Sequence, residues 1–151
     1  MPHIHDKIDF CVETFIVYEN RVLLRKHDKY NKWLAVGGHI ELDEDPNQAA
    51  LREVKEEVGL DAKLFDGYVL RSGSIHDLIP PRFVNRHPIN DKHEHIALIY
   101  FATSLTDKLV ITDDERAECK WFDYDELDSS DYGISSDVKH YAKTALKEIT
   151  K

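Results

Sequence analysis

The sequence predicts an α/β (α+β) domain built around a central mixed β-sheet. Three observations carry this. An opening pair of β-rich segments is joined by a two-residue turn. Strand-like segments lie before, between and after two or three helical ones. Strict strand–helix–strand alternation is absent, which excludes a doubly wound parallel sheet.

Each element has its own signal. Residues 9–18 are rich in aromatic and β-branched types and read as a strand. Glu19-Asn20 fits a two-residue turn, and Arg21 to Arg25 fits the returning strand. Residues 33–36 are apolar and run into Gly37-Gly38, which reads as a strand ending in a flexible loop. Asp45 is placed to cap a helix, with Pro46 at its first position and Gln48 completing a capping box. Ala50, Leu51, Val54 and Val58 recur at helical spacing and predict its apolar face, and Gly59 predicts a left-handed end. Residues 63–71 read as a strand. Residues 72–92, with Pro80-Pro81 and Pro88, read as a long loop and a candidate specificity element carrying Arg82 and Arg86. His95 to Thr103 predicts a buried strand and Cys119 to Phe122 a short one. Asp123 with Glu126 predicts a capping box on a short helix. Ser136 is expected to cap a last helix, with Val138, Ala142, Ala145, Leu146 and Ile149 inward.

The 151 residues fit a single domain spanning 1–151 with one sizeable core. No apolar stretch is long enough for a membrane helix, and the N-terminus lacks the charged-then-apolar order of a signal peptide. A soluble, cytoplasmic protein with no membrane partner is expected. Cys11 and Cys119 are not spaced as a zinc ribbon or redox pair, and two buried thiols are expected. Of the net charge of −9, most sits in residues 107–137, which hold 11 acidic and 3 basic side chains. Bulk charge therefore argues against DNA as a partner.

The chemistry concentrates between Gly38 and Leu60. Gly38 is followed after five residues by Glu44, and after seven more by Arg52-Glu53-Val54-Lys55-Glu56-Glu57-Val58-Gly59-Leu60. On a helix, Glu53, Glu56 and Glu57 lie at i, i+3 and i+4 and project from one side, opposite the apolar face. Three crowded carboxylates repel and call for a cation, and an all-oxygen donor set favours a hard one such as Mg²⁺, Mn²⁺ or Ca²⁺. Arg52 is close enough to neutralise part of the charge and orient a carboxylate. A solvated acidic helix would explain a lone Glu-x-x-Glu-Glu. The full spacing recurs by chance only about once in 10⁷ chains.

This segment resembles the Nudix box at every defining position. One departure flanks it: Val36 stands where many members carry Pro. The resemblance implies an α/β/α sandwich and cleavage of a nucleoside diphosphate linked to a group X. It implies a catalytic set of Glu53, Glu56, Glu57, Arg52 and Glu44. Of these, Glu53, Glu56 and Glu57, with the Gly38 backbone, would hold Mg²⁺ or Mn²⁺, and Glu44 and Arg52 would orient the ligands. The general base stays open among Glu53, Glu56, Glu57, Glu115 and Glu118. Arg25, His39, Glu118 and His95 are candidates for substrate contact. Tyr30, Trp33 and Phe83 could stack on a base, although Trp33 is better explained as packed against the sheet. His3-x-His5 and His93-x-His95 each put two imidazoles on one strand face, but spacing fixes no third or fourth ligand, so zinc is not assigned.

The downstream tags of ADP-ribose and dinucleoside-polyphosphate enzymes are absent, which leaves a nucleoside triphosphate or related small nucleotide as the expected substrate. The family resemblance allows a homodimer. Rival readings are a Nudix-like nucleotide sensor without turnover, an isoprenoid diphosphate isomerase, and an RNA 5′-end pyrophosphohydrolase using Arg71, Arg82, Arg86 and Lys92.

Overall fold

The computed structural model describes residues 5–27, 30–65, 71–72, 75–111 and 118–149. The elements are β1 (Ile8–Tyr18), β2 (Arg21–His27), β3 (Lys32–Leu34), β4 (Val36–His39), α1 (Pro46–Val58), β5 (Lys63–Leu64), β6 (Arg71–Ser72), β7 (Ile75–His76), β8 (Phe83–Asn90), β9 (His93–Thr103), β10 (Glu118–Phe122), a single 3-10 turn (Glu126–Asp128) and α2 (Ser136–Ile149).

The main sheet runs β10-β2-β1-β9-β5, with β3 on β2, β4 on β1 and β8 on β9. Its spine is the parallel pair β1–β9, in register from Ile8 opposite Glu94 to Val17 opposite Thr103. Covered on both faces, these two strands carry nearly continuous apolar runs. Alternation sends Val12 and Ile16 into one core with Val36, Ala49, Ala50, Val54 and Val58 of the α1 side. It sends Cys11, Phe15 and Val17 into the other, with Ala97, Ile99, Phe101 and the α2 residues Val138, Ala142, Ala145 and Leu146. The result is a helix–sheet–helix sandwich. Burial pushes the Cys11 thiol up to about 12, so it packs as a small apolar group.

The predicted turn at Glu19-Asn20 has both residues at positive φ, 44° and 63°, the twist that suits a tight hairpin. Trp33 is buried against Phe122 and Tyr132, with ring centroids 5.1 and 6.1 Å away. Ser136 is the first residue of the last helix rather than its cap, the Ser135 carbonyl accepting from the Lys139 N–H at 3.0 Å, and the helix buries the predicted residues, with Ile149 partly covered.

Four expectations are corrected. The 72–92 loop contains β7 and the eight-residue β8, which pairs antiparallel with β9. As an edge strand β8 needs apolar residues on neither face throughout, and Pro88 is tolerated at an irregularity in the ladder. Gly37-Gly38 is not a loop but the middle of β4, paired with Glu13 and Val12. A Cβ on Gly37 would collide with the Val12 carbonyl, so glycine permits this close strand approach. The strand expected over 63–71 is short: Lys63–Leu64 pair with β9, the Phe65 N–H donates to the Phe101 carbonyl at 2.7 Å, and residues 66–70 lie outside the described set. Leu51 is 38% exposed, and α1 instead buries Ala49 and Glu53.

Candidate active site

Helix α1 is fixed at both ends. Asp45 accepts from the Gln48 backbone N–H at 2.8 Å, and the Gln48 side chain accepts from the Asp45 N–H at 2.9 Å. At the other end Gly59 has φ 73° and its N–H donates to the Lys55 carbonyl at 3.0 Å. The rotation of α1 is therefore set, and it turns Glu53 toward β4.

Glu53 is only 3% exposed. Its carboxylate lies directly against Gly38, where any Cβ would overlap its oxygens. Burial raises the Glu53 carboxyl above the ordinary range, against the pull of the neighbouring Arg52 guanidinium.

Arg52 is the hub. It donates to Glu44 through Nε at 2.9 Å and Nη2 at 2.6 Å, a forked pair. Nη1 reaches Glu53 at 3.0 Å and Glu56 at 3.2 Å, and Nη2 reaches the His39 carbonyl at 3.0 Å. The Glu44 carboxyl is held below its ordinary range, chiefly by the Arg52 hydrogen bonds. Arg25, from β2, pairs with Glu57 at 3.1 Å, both side chains being mostly buried. Arg52 thus bridges Glu53 and Glu56, while Arg25 holds Glu57 separately. Glu56 points outward, 60% exposed. The donor set is entirely oxygen, and Gly38 leaves space for Glu53 at the strand. These residues fit a hard divalent cation, with carboxylates from α1 and a backbone oxygen from β4.

The other candidates fall elsewhere. Arg25 sits inside the cluster, bound to Glu57. Glu118 is exposed, stands opposite Lys26 in the ladder, and by alternation shares the face of Phe122, on the α2 side. Cys119, not Glu118, is the β10 residue opposite Arg25. His39 and His95 meet each other, Nε2 to Nε2 at 3.3 Å, on the face of the sheet away from α1. Glu115 and His3 lie outside the described residues.

On that same α2 face lies a cleft of about 540 Å³, lined among others by Glu13, Tyr30, Asn85, His87, Asp137 and Tyr141. Burial, with a contribution from Asp137, pushes the Glu13 carboxyl up to about 7. The Asn85 amide donates to the Tyr141 hydroxyl at 2.9 Å. Sequence reading missed this cleft, because its walls come from β1, β3, β8 and α2. A signal was present in Glu13, the one charge between Phe10 and Tyr18 in a β-rich apolar run. Cleft and carboxylate cluster meet at β4: Gly37 pairs with Glu13, and the next residue, Gly38, abuts Glu53.

An RNA pyrophosphohydrolase of Methylococcus capsulatus is 30% identical over 111 residues, covering 70% of this chain and 58% of that one. The chain thus spans under two thirds of that relative. A CTP pyrophosphohydrolase of Escherichia coli is 32% identical over 98 residues, covering 59% of this chain and 72% of that one. The crystal structure of a NUDIX family hydrolase from Clostridium perfringens superposes with a TM-score of 0.83 at 30% identity, covering 93% of this chain and 97% of the other. The NUDIX domain family model matches residues 12–143, from the first strand through most of α2. The chain belongs to the NUDIX domain family.

Proposed function

We propose that this chain is a metal-dependent pyrophosphohydrolase that cleaves a nucleoside diphosphate linked to X, with a nucleoside triphosphate or related small nucleotide as substrate. The observation that carries the reading is the Glu53 carboxylate lodged against Gly38 and tied through Arg52 to Glu44 and Glu56. Glu53, Glu56 and Glu57, with the Gly38 backbone, would hold Mg²⁺ or Mn²⁺. When bound, that cation neutralises the diphosphate and acidifies a water. Arg52 and Glu44 fix the orientation of the carboxylates. Arg25 holds Glu57 at 3.1 Å and would offer its guanidinium to a phosphate oxygen. A carboxylate of the Glu53, Glu56 and Glu57 set accepts the proton of the attacking water.

The cleft supports a nucleotide as the group held. Tyr30 and Tyr141 provide ring surface. Glu13, poised near neutrality, can accept or donate a hydrogen bond at a base edge. The acidic charge opposes DNA binding. No helix among the described residues is long and apolar enough to cross a membrane, and the site would act in the cytoplasm, as a monomer or homodimer. The relative named for RNA supports a second reading, an RNA 5′-end as the diphosphate carrier.

A substrate panel tests both readings. The protein is incubated with Mg²⁺ or Mn²⁺ and nucleoside triphosphates, ADP-ribose, NADH, dinucleoside polyphosphates, nucleotide sugars and 5′-triphosphate RNA. Glu57→Gln is the control. A nucleoside monophosphate released from one small class, and lost by several orders of magnitude in Glu57→Gln, is expected. Turnover of RNA alone selects the second reading. Full activity in folded Glu57→Gln overturns the site.

A further inference from the structure

The side of the sheet away from α1 carries a cluster that the diphosphate chemistry does not use. Asp9 and His95 are direct partners in the parallel β1–β9 ladder. His93 lies two residues before His95, on the same face. His39 arrives from β4, opposite Cys11. Three distant segments thus bring one carboxylate and three imidazoles together. We propose that Asp9, His39, His93 and His95 form a Zn²⁺-class transition-metal site, separate from the box carboxylates.

Asp9, His93 and His95 are spaced as part of a coordination shell, with His39 at its edge. His93 Nε2 is 3.2 Å from Asp9 Oδ2, His39 Nε2 is 3.3 Å from His95 Nε2, and His39 Nε2 is 3.7 Å from Asp9 Oδ2. Tetrahedral Zn²⁺ with bonds of about 2.0–2.1 Å separates its ligands by about 3.3 Å. One ligand atom from each of Asp9, His93 and His95 lies within 4.8 Å of the others, and among the described residues this is the one such group of three. Asp9, His39 and His93 are buried, at 1%, 8% and 4% exposure.

The supporting contacts aim the donors. His93 Nδ1 is 3.1 Å from the Asp6 carbonyl. A carbonyl only accepts, so Nδ1 carries a proton, and Nε2 faces Asp9 Oδ2. The His5 backbone N–H donates to Asp9 Oδ1 at 2.8 Å, leaving Oδ2 turned into the cluster. Three nitrogens and one carboxylate oxygen suit Zn²⁺, Co²⁺ or Ni²⁺ rather than Mg²⁺. Asp9, His93 and His95 lie within reach of one ion, and His39 would close the shell as a fourth ligand, the count of a structural site. It would staple the starts of β1 and β9 to the end of β4. His39 is the residue after Gly38, and its carbonyl receives Arg52, so the staple would brace the strand against which Glu53 rests.

The test uses the full chain, stripped by chelator and titrated with Co²⁺ as a visible probe. Zinc retained through gel filtration is counted by elemental analysis. One tight equivalent with intense tetrahedral ligand-field absorption is expected, displaced by Zn²⁺ and unaffected in Glu53→Gln and Glu57→Gln. His93→Gln and the near-isosteric Asp9→Asn should each weaken affinity by about 100-fold or more. Absence of a tetrahedral Co²⁺ spectrum in the parent protein overturns the proposal, whatever the variants do. So does Zn²⁺ retained undiminished in folded His93→Gln and Asp9→Asn, or lost in Glu53→Gln instead. Hydrolytic activity plays no part in these readouts, so the metal site and the proposed hydrolase reading can fail separately.

Discussion

Gly38 and Glu53 are in direct contact, and the absence of a side chain on the first is what gives the second its place. A Cβ at position 38 would stand within 2.8 Å of both Glu53 oxygens and its carboxyl carbon. Gly38→Ala should therefore displace the buried carboxylate while β4 keeps its pairing. Turnover should fall about 100-fold, the usual penalty for a misplacement near 1 Å. Steady-state kinetics alongside circular dichroism checks this. Unchanged turnover in the folded variant would remove Glu53 from the site.

Arg52→Gln removes the cation shared by Glu44, Glu53 and Glu56. A loss of about 1–3 kcal/mol at neutral pH is expected, because buried acceptors lose their donor. The pH dependence has a definite sign. Arg52 depresses the Glu44 carboxyl, and a depressed acid contributes stability above its ordinary range that is lost as pH falls. The gap between parent and variant should narrow as pH drops below the ordinary carboxylate value of 4.5. Denaturant unfolding at pH 7.5 and pH 4 measures it, and a gap that widened in acid would contradict the ion-pair account.

Glu13 behaves oppositely. Its carboxyl is raised to about 7 from 4.5. Stability tied to its protonated form is complete below 4.5 and is lost as pH rises to about 7. Glu13→Gln should be more stable than the parent at pH 8 by about 1–3 kcal/mol, with little difference near pH 4.5. Thermal melts at the two pH values decide it. The same variant should change substrate preference in the panel more than it changes metal affinity.

Gly59 combines a left-handed conformation, φ 73°, with a neighbour that leaves no space, since a Cβ there would lie 2.7 Å from the Val110 Cβ. Gly59→Ala should cost about 1–3 kcal/mol through strain and repacking. It should lower the melting temperature by several degrees. A neutral substitution would show that α1 does not need this termination.

Legibility in the sequence followed the range of the interactions. Helix α1 was readable because Asp45, Pro46, Gln48 and Gly59 act on their own neighbours. The Glu19-Asn20 turn was readable for the same reason. Strand β8 was not, because Asn85, Arg86, His87 and Pro88 carry no local strand signal, and its pairing with β9 supplies the hydrogen bonds. The spacing of Glu53, Glu56 and Glu57 was visible, but the burial of Glu53 was not. It depends on Gly38 lying flat in β4 rather than in a loop. His93 and His95 were visible as a pair. Asp9 and His39 joined them only through the ladders Asp9–His95 and Cys11–His39.

Strand β4 has a further consequence, since consecutive residues serve opposite sides of the sheet. Gly37 pairs with the strand residue that projects into the cleft, and Gly38 bears the carboxylate of α1. On the proposed reading, recognition of X and cleavage of its diphosphate share one peptide unit as their border and little else. Lineages could retool the cleft through β3, β8 and α2 and inherit the hydrolytic helix untouched. The sheet then works as a bulkhead, behind which one reaction can be offered to many different cargoes.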